Sequence, residues 1–284
     1  MIKGFNGKIL KVNLAEKNYE IEKLPEDYIK KYLGARGLAA RYYHDLIAPE
    51  VDPLSSDNKL IFMTGPLTGT RVPASTKFSC STKSPETGQY LCSNSGGFFG
   101  PFLKKAGLDG IILENAAESP VYLKINDDEI TFHEAEDHWG EMVRTFESKV
   151  KEKHSMSNPS VMAVGPAAEN GVVFSSIQVD GRSFGRAGAG TVMASKNLKG
   201  IILKGTGDIP VANPDKLKEK FKHLSQEALE SKKNMREYGT VQNVALINTA
   251  GCLPTRNFQS GVFEYADQID ADMMNANYFS RNKG

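Results

Sequence analysis

The chain has 284 residues, of which 40% are apolar and 24% are charged, and its formal net charge is +1. A chain of this length can bury a hydrophobic core, and the length suggests about two domains. A nearly neutral charge balance gives no bulk field that would attract nucleic acid or an anionic membrane, so neither is an expected partner. The chain shows no secretory signal pattern and no apolar run as long as a membrane span, which predicts a cytoplasmic protein.

The first part of the chain alternates short strands with helices. Period-two alternation indicates the strands, and glycines at the expected ends indicate where helices stop. In chain order we predict a β-hairpin from 7–14 and 19–24, helices at 25–34 and 37–47, strands at 59–63, 77–82 and 110–114, and a helix at 98–106.

The middle of the chain continues in the same way, and its last part is helical. We predict a second hairpin from 121–125 and 129–133, a helix at 138–154, strands at 160–164, 172–179 and 200–204, and a helix at 188–197. From Pro214 onward the periodicity predicts helices only, at 214–237, 241–248 and 270–280.

These elements predict an α+β fold with two domains. Residues 1–210 form a β-rich base domain with packed helices, and residues 211–284 form the start of an all-α domain. The helical part has only about 75 residues and ends on polar residues, so we expect a domain that is cut short.

A repeat inside the base domain is the most informative feature of the sequence. Residues 65–113 and 165–203 each begin with Gly-Pro after an apolar strand, pass a glycine-rich turn and end in Gly-Ile-Ile-Leu. Two such turns can present two similar sets of backbone N–H groups about a local two-fold axis. This arrangement suits a ligand that is itself two-fold and anionic.

In the first copy, Asn94, Ser95, Gly96 and Gly97 precede the predicted helix at 98–106. Glycines allow the backbone to approach a ligand closely, and a helix N-terminus supplies N–H donors and partial positive charge. The structural alternative is a tight turn in which Asn94 or Ser95 caps the helix. Lys77 lies in or beside the preceding strand, where a charged residue is most often solvated.

In the second copy, the matching segment contains Arg182, Ser183, Gly185 and Arg186. Two arginines within a glycine-rich turn favour an anion site, because the forked guanidinium group suits phosphate. The segment is not a dinucleotide-binding fingerprint, since no acidic residue follows at the required distance in a strand, and a Walker A loop is also absent.

The cysteines and histidines do not indicate a metal site or a catalytic triad. Cys80, Cys92 and Cys252 are widely spaced and odd in number, which is typical of a reducing compartment. The five histidines lack metal-ligand spacing. The residues alone therefore predict a two-fold binder of a phosphate-bearing ligand without visible catalytic groups, and a simple phosphate binder without metal remains an alternative.

The whole chain also resembles the tungsten-containing aldehyde ferredoxin oxidoreductases, in a series of ordered motifs. The motifs are Arg36-Gly37-Leu38-Ala39, Gly65-Pro66-Leu67-Thr68-Gly69-Thr70, Thr82-Lys83-Ser84-Pro85, Asn94-Ser95-Gly96-Gly97-Phe98-Phe99-Gly100, Gly165-Pro166-Ala167-Ala168-Glu169-Asn170, Asp180-Gly181-Arg182, 185–190, Ser195-Lys196-Asn197-Leu198-Lys199, Asn257-Phe258-Gln259-Ser260-Gly261 and Arg281-Asn282-Lys283.

The resemblance implies a base domain with pseudo-two-fold symmetry that carries tungsten on two pyranopterin dithiolenes, with a magnesium ion bridging the pterin phosphates. It implies that Asn94 and Ser183 offer backbone carbonyls to magnesium, and that Gly96, Arg182 and Gly185 line the phosphate sites. Lys77 stands where the family commonly has an arginine that links a pterin to the iron–sulfur cluster. Lysine keeps the charge but lacks the bidentate fork.

The resemblance further implies an enzyme that oxidises an aldehyde to a carboxylate and passes electrons through a [4Fe-4S] cluster to ferredoxin. The family's C-x2-C-x3-C cluster run is not present, and the three cysteines are elsewhere, so we expect the cluster only in a full-length chain. The chain alone is then expected to be inactive and largely without cofactor.

Several alternatives stay open. One is a non-catalytic standalone or truncated pterin- or phosphate-binding module, and another is the family branch that acts on aromatic thioesters. The choice between tungsten and molybdenum, and the formation of a homo-oligomer, also stay open.

Overall fold

The computed structural model describes residues 2–278, so the Arg281-Asn282-Lys283 motif lies outside the described residues. The chain divides into two compact units, Met1–Asp215 and Lys216–Gly284. The first unit contains all the strands of the described chain, and the second is helical. The α+β fold class predicted from the sequence is confirmed.

The described part of the first unit contains twelve strands and six α-helices, before the long helix that begins at its end. The strands are β1 Lys8–Asn13, β2 Asn18–Lys23, β3 Leu60–Thr64, β4 Phe78–Lys83, β5 Tyr90–Ser95, β6 Gly110–Glu114, β7 Val121–Asn126, β8 Glu129–Glu134, β9 Ser160–Ala163, β10 Ile177–Val179, β11 Arg182–Phe184 and β12 Leu198–Lys204. The helices are α1 Glu26–Tyr32, α2 Arg36–Leu46, α3 Phe99–Lys105, α4 Val143–His154, α5 Pro166–Glu169 and α6 Ala189–Ser195.

The two sheets of this unit have the same topology. The first has the strand order β2-β1-β6-β3-β4-β5, and the second has the order β8-β7-β12-β9-β10-β11. Adding six to every label of the first sheet therefore gives the second. The pairings agree as well, because β1 with β6 and β7 with β12 are parallel, while the other neighbouring strands are antiparallel.

This duplicated unit is layered. The two sheets share one buried apolar cluster, in which Phe184 contacts both Phe62 and Phe78 at ring-centroid distances of 5.7 and 5.0 Å. Helices α1 and α2 cover the outer face of the first sheet, and α4 covers that of the second. Burial of both faces of each sheet explains the nearly continuous apolar sequences of β3, β6 and β12.

Most predicted elements of this unit are confirmed within a few residues, but two predictions were too long. The predicted helix at 138–154 begins only at Val143, because Gly140 has a φ of +86° and its N–H is donated to the Glu169 carboxylate. The predicted strand at 172–179 is reduced to β10. The N–H groups of Val172 and Ser175 form turn hydrogen bonds instead.

Three elements were missed. Strand β5 has the residues Cys92, Ser93, Asn94 and Ser95 at its end, which have little β propensity, and it forms because it pairs with β4. Strand β11 and helix α5 are too short to show periodicity.

The second unit contains helices with mostly exposed side chains. They are α7 Pro214–Ser231, which begins in the first unit, α8 Lys233–Tyr238, α9 Asn243–Thr249 and α10 Ala271–Asn277. The predicted helix at 214–237 is interrupted at Lys232, whose φ of −113° and ψ of 26° are not helical. Asp270 caps α10 by accepting a hydrogen bond from the Met273 N–H at 3.0 Å.

Across residues 2–278, none of the helices combines the length and apolar character needed to cross a bilayer.

Candidate functional site

The first unit has two halves, of which the first contains β1–β6 and the second contains β7–β12. The two glycine-rich turns occupy equivalent places in these halves. The first, residues 96–98, joins β5 to α3, and the second, residues 185–188, joins β11 to α6. Strands β5 and β11 are each the last strand of their sheet, and they contact each other. The fold therefore places in contact the two strands that precede the turns, although they are about 90 residues apart in the sequence.

Side chains from the second half lie directly against the first glycine turn. A Cβ atom at Gly97 would lie 2.9 Å from Asp180 Oδ2, and a Cβ atom at Gly96 would lie 3.2 Å from Arg182 Cδ. Gly97 also has a φ of +91°, which a residue with a side chain rarely adopts. Glycine is thus required at position 97 for both backbone conformation and space.

Asp180 is a site residue that the sequence analysis did not single out. Its Oδ2 atom accepts hydrogen bonds from the Phe98 N–H at 2.8 Å and from Ser160 Oγ at 2.6 Å. Asp180 and Gly181 form the two-residue turn of the β10–β11 hairpin, and both have positive φ. The Asp-Gly pair is a strong hairpin signal, which could have located this turn in the sequence.

This contact corrects one part of the interpretation from the sequence. The N–H group that precedes α3 was expected to be free for a ligand, but Asp180 already accepts its hydrogen bond. The first turn therefore has fewer free donors than the sequence suggested.

The second glycine turn is contacted by the first half in a reciprocal manner. Ser84, which follows β4 in the β4–β5 hairpin, donates its Oγ hydrogen to the Ala187 carbonyl at 2.8 Å. A Cβ atom at Gly188 would lie 2.7 Å from Pro85 Cγ and 1.9 Å from the Val173 carbonyl oxygen. Each half thus uses a hairpin turn to hold the glycine turn of the other.

The predicted magnesium ligands, Asn94 and Ser183, lie on β5 and β11. Because these are edge strands, alternate backbone carbonyls have no partner in the sheet. The Asn94 side chain accepts a hydrogen bond from Ser79 Oγ at 2.7 Å. Ser95 is 3% exposed, and its Oγ atom has no hydrogen-bond partner among the described residues. The structure therefore places the strands that carry the two predicted ligands in contact and leaves a buried polar atom on β5.

The predicted cationic residues Lys77, Arg182 and Arg186 are all exposed. Arg182 lies against Gly96, as described above, while Arg186 follows Gly185 in the second turn. The backbone carbonyl of Lys77 is fixed by a hydrogen bond from Thr68 Oγ1 at 3.1 Å. These side chains are therefore accessible to a ligand; Arg182 lies beside the first turn and Arg186 belongs to the second.

The surface around the turns is open and partly apolar. A cleft of about 540 Å³ is lined by Asp180 and Gly181, and also by Met142 and Gly165, but by neither glycine turn. Phe98 and Phe174 are 64% and 62% exposed.

Within residues 2–278 no cluster of three or more histidine, cysteine, aspartate or glutamate side chains could hold a metal ion.

Comparison with known proteins gives matches along nearly the whole chain. The N-terminal domain of aldehyde ferredoxin oxidoreductase matches residues 9–205, and domains 2 and 3 of the same family match residues 216–284. The tungsten-containing aldehyde ferredoxin oxidoreductase of Pyrococcus abyssi is 43% identical over 99% of this chain and 47% of its own length. The enzyme of that name from Thermococcus kodakarensis is 41% identical over 98% of this chain and 46% of its own length. The chain spans about half the length of these relatives.

Two further proteins that resemble this chain are named for other reactions. The WOR-like subunit of an aliphatic sulfonate oxidoreductase from Pyrococcus furiosus is 34% identical over 95% of this chain and 45% of its own length. Among solved structures, the active site complex BamBC of benzoyl coenzyme A reductase with 1,5-dienoyl-CoA has a TM-score of 0.80 and 32% identity, covering 84% of this chain and 36% of that chain. On these matches, the chain belongs to the aldehyde ferredoxin oxidoreductase family.

Proposed function

We propose that this chain is the cofactor-binding part of an oxidoreductase that converts aldehydes to carboxylates. The cofactor would be a tungsten bis-pyranopterin with magnesium, held by residues of this chain. A [4Fe-4S] cluster and ferredoxin would accept the electrons. The cluster and ferredoxin belong to this proposal only for a protein that also carries the family's cluster cysteines.

The observation that carries the proposal is the contact between edge strands β5 and β11, each of which leads into a glycine turn. Two similar backbone segments, from two halves of the same topology, lie side by side on contacting edge strands. A bis-pyranopterin has two similar halves, each ending in a phosphate. A protein surface with duplicated topology can contact both halves in similar ways.

The residues of this site fit a bis-pyranopterin in three respects. Gly96 leaves space that a Cβ would fill, Ser95 Oγ is buried without a partner in the described chain, and Arg182 supplies an accessible cation beside them. In this proposal Arg182 and Arg186 bind phosphate oxygens, and the Asn94 and Ser183 carbonyls bind magnesium. When bound, the tungsten centre supplies the two-electron oxidation chemistry.

The remaining residues of the site serve to bind and orient the cofactor. The buried core behind β5 and β11 holds the two turns in a fixed geometry, which lowers the entropy cost of binding. Exposed Phe98 gives an apolar surface beside the charged groups and would exclude water from a bound cofactor. Lys77 provides one more positive charge, without the bidentate geometry of arginine.

A second candidate function is a pterin- or phosphate-binding module that lacks the cluster. It is compatible with the exposed cations Arg182 and Arg186, which suit a phosphate whether or not a cluster is present. The two candidates differ in their iron content, since only the oxidoreductase holds iron and sulfide. Iron and tungsten assays on the native protein that contains this chain would distinguish them.

The cofactor proposal is tested by replacing Arg182 with alanine in that native protein. We expect the tungsten and pterin content per protein to fall about tenfold, since a charge-assisted hydrogen bond to phosphate contributes roughly 1.5–3 kcal/mol. Lys23→Ala is the control, because Lys23 is an exposed cation on β2, at the opposite edge of the sheet from β5. Equal tungsten content in wild type and Arg182→Ala would refute the assigned role.

A further inference from the structure

The contacts between the two halves suggest a role for residues that do not themselves face the ligand. The β10–β11 turn of the second half contacts the first glycine turn through Asp180, and the β4–β5 turn of the first half contacts the second glycine turn through Ser84. The β10–β11 and β4–β5 hairpins are equivalent in the duplicated topology. The contacts are therefore reciprocal, although their chemistry differs.

The Asp180 contact is long-range. Aspartate in a turn commonly accepts hydrogen bonds from residues close by in the sequence. Asp180 instead accepts them from Phe98, 82 positions away, and from Ser160 and the Val161 N–H, 20 and 19 positions away. Its carboxylate thus joins the first glycine turn to the start of β9, and a role limited to forming the hairpin does not account for these partners.

The Asp180 carboxylate has its hydrogen-bonding capacity largely occupied. Oδ2 receives two donors at 2.8 and 2.6 Å, and Oδ1 receives one at 3.3 Å. Hydrogen bonds to an ionised acceptor are about twice as strong as neutral ones. A carboxylate bonded in this way can remain near an anionic ligand and still hold the backbone of Phe98 in place.

We propose that Asp180 is a positioning residue that fixes the first glycine turn relative to Arg182, and that Ser84 does the same for the second turn through Ala187. This inference rests on the proposed function, because it assigns the two residues to the geometry of that cofactor site. Neither residue contacts the ligand. Their effect is to keep the two turns at the spacing that the two halves of the cofactor require.

The test uses a matched pair of aspartates. Asp127 lies in the two-residue turn of the β7–β8 hairpin with a φ of +52°, and its carboxylate accepts the Thr206 N–H at 2.7 Å. Asp180 has a φ of +49° and accepts a backbone N–H at 2.8 Å. Asp127→Ala and Asp180→Ala therefore introduce the same kind of turn strain, but only the second affects a glycine turn. Asp180→Ala removes three hydrogen bonds, two of them from backbone N–H groups, and Asp127→Ala removes two, from the Thr206 N–H and Thr206 Oγ1.

The first readout is amide hydrogen exchange of residues 95–99 in the native protein. Loss of a charge-assisted hydrogen bond predicts exchange about tenfold faster or more in Asp180→Ala. Asp127→Ala should leave this segment unchanged. Asp180→Asn keeps an acceptor oxygen and tolerates positive φ, so it should restore most of the protection. Equal exchange in Asp180→Ala and wild type would overturn the proposal, even if Asp180→Ala unfolds at lower temperature.

The second readout is the tungsten content of the same variants. We expect Asp180→Ala to lose tungsten at least about fivefold relative to Asp127→Ala, with Asp180→Asn between them. Faster exchange at 95–99 with unchanged tungsten content would overturn the positioning role. If wild type itself holds no tungsten, the proposed function fails, whereas the exchange comparison still decides whether Asp180 fixes the turn.

Discussion

Lys104 and Asp109 form an ion pair in which both side chains are fully buried, with Nζ and Oδ1 2.6 Å apart. The Lys104 ammonium also donates to the Gly4 carbonyl at 2.6 Å, and the Asp109 carboxylate accepts the Gly7 N–H at 2.6 Å and the Asn6 N–H at 3.1 Å. The pair therefore attaches the N-terminal segment to the α3–β6 connection, close to the first glycine turn in the chain.

Removal of one member of this pair should be costly. Asp109→Ala leaves the Lys104 ammonium buried without its carboxylate, and breaking a buried pair typically destabilises a protein by about 3–5 kcal/mol. Burial already lowers the pKa of Lys104. Urea unfolding measures the loss. As a control, Glu129→Ala breaks the partly exposed pair with Lys124 and should change stability little. A similar small change in Asp109→Ala would contradict the prediction.

The sequence was sufficient to locate the glycine turns but not the contacts that hold them. Glycine-rich turns before helices are visible because few other residues allow that backbone. The contact of Asp180 with Phe98 could not be recognised, since the two residues are 82 positions apart and meet only when the two sheets pack. Strand β5 was missed for a related reason, because its pairing with β4 outweighs the low β propensity of Asn94 and Ser95.

Lys196 is a buried lysine without a carboxylate partner among its hydrogen bonds. Its Nζ atom donates to the carbonyls of Ser56 at 3.2 Å, Asn115 at 3.0 Å and Asn58. Burial, with a smaller contribution from the Lys59 ammonium, lowers the pKa of Lys196 to about 8. The folded protein therefore releases a proton near pH 8 that the unfolded chain keeps up to its ordinary pKa of 10.5.

Since the unfolded state binds more protons in this window, stability should rise with pH from about 8 to 10.5. The contribution of Lys196 to this rise is about 3 kcal/mol. Lys196→Met should remove that part of the slope. Denaturant unfolding at pH 7, 8, 9 and 10 gives both slopes, and the same slope in the two proteins would rule out Lys196 as its source.

His154 should make the protein sensitive to mild acid. Its Nε2 atom lies 3.0 Å from the Tyr122 hydroxyl, and its ring is 4.7 Å from that of His133. Burial first, then the charges of His133, Lys124 and Lys153, lower the pKa of His154 to about 4 from an ordinary 6.5. The unfolded chain takes up a proton between pH 6.5 and 4 that the folded protein does not, so stability falls as pH falls through this range.

The variant His154→Gln should lose part of this acid sensitivity, because glutamine keeps a polar group near Tyr122 but does not titrate. His44→Gln is the control, since the side chain of His44 is 78% exposed. NMR titration of the histidine rings gives the pKa directly, and unfolding at pH 4, 5, 6 and 7 gives the slope. A midpoint for His154 near 6.5 would contradict the prediction.

Gly97 and Gly88 separate the effect of backbone strain from that of crowding. Both have positive φ, +91° and +69°, but a Cβ at Gly88 would meet nothing within 4 Å, whereas one at Gly97 would lie 2.9 Å from Asp180 Oδ2. Alanine at either position incurs the strain of a left-handed backbone, about 1–2 kcal/mol. Only Gly97→Ala must also displace Asp180 from Phe98, so its loss of unfolding free energy should exceed that of Gly88→Ala by about 1–3 kcal/mol. Equal losses in urea unfolding would mean that Asp180 moves aside without cost, and the hydrogen bond to Phe98 would then contribute little to the geometry of the first turn.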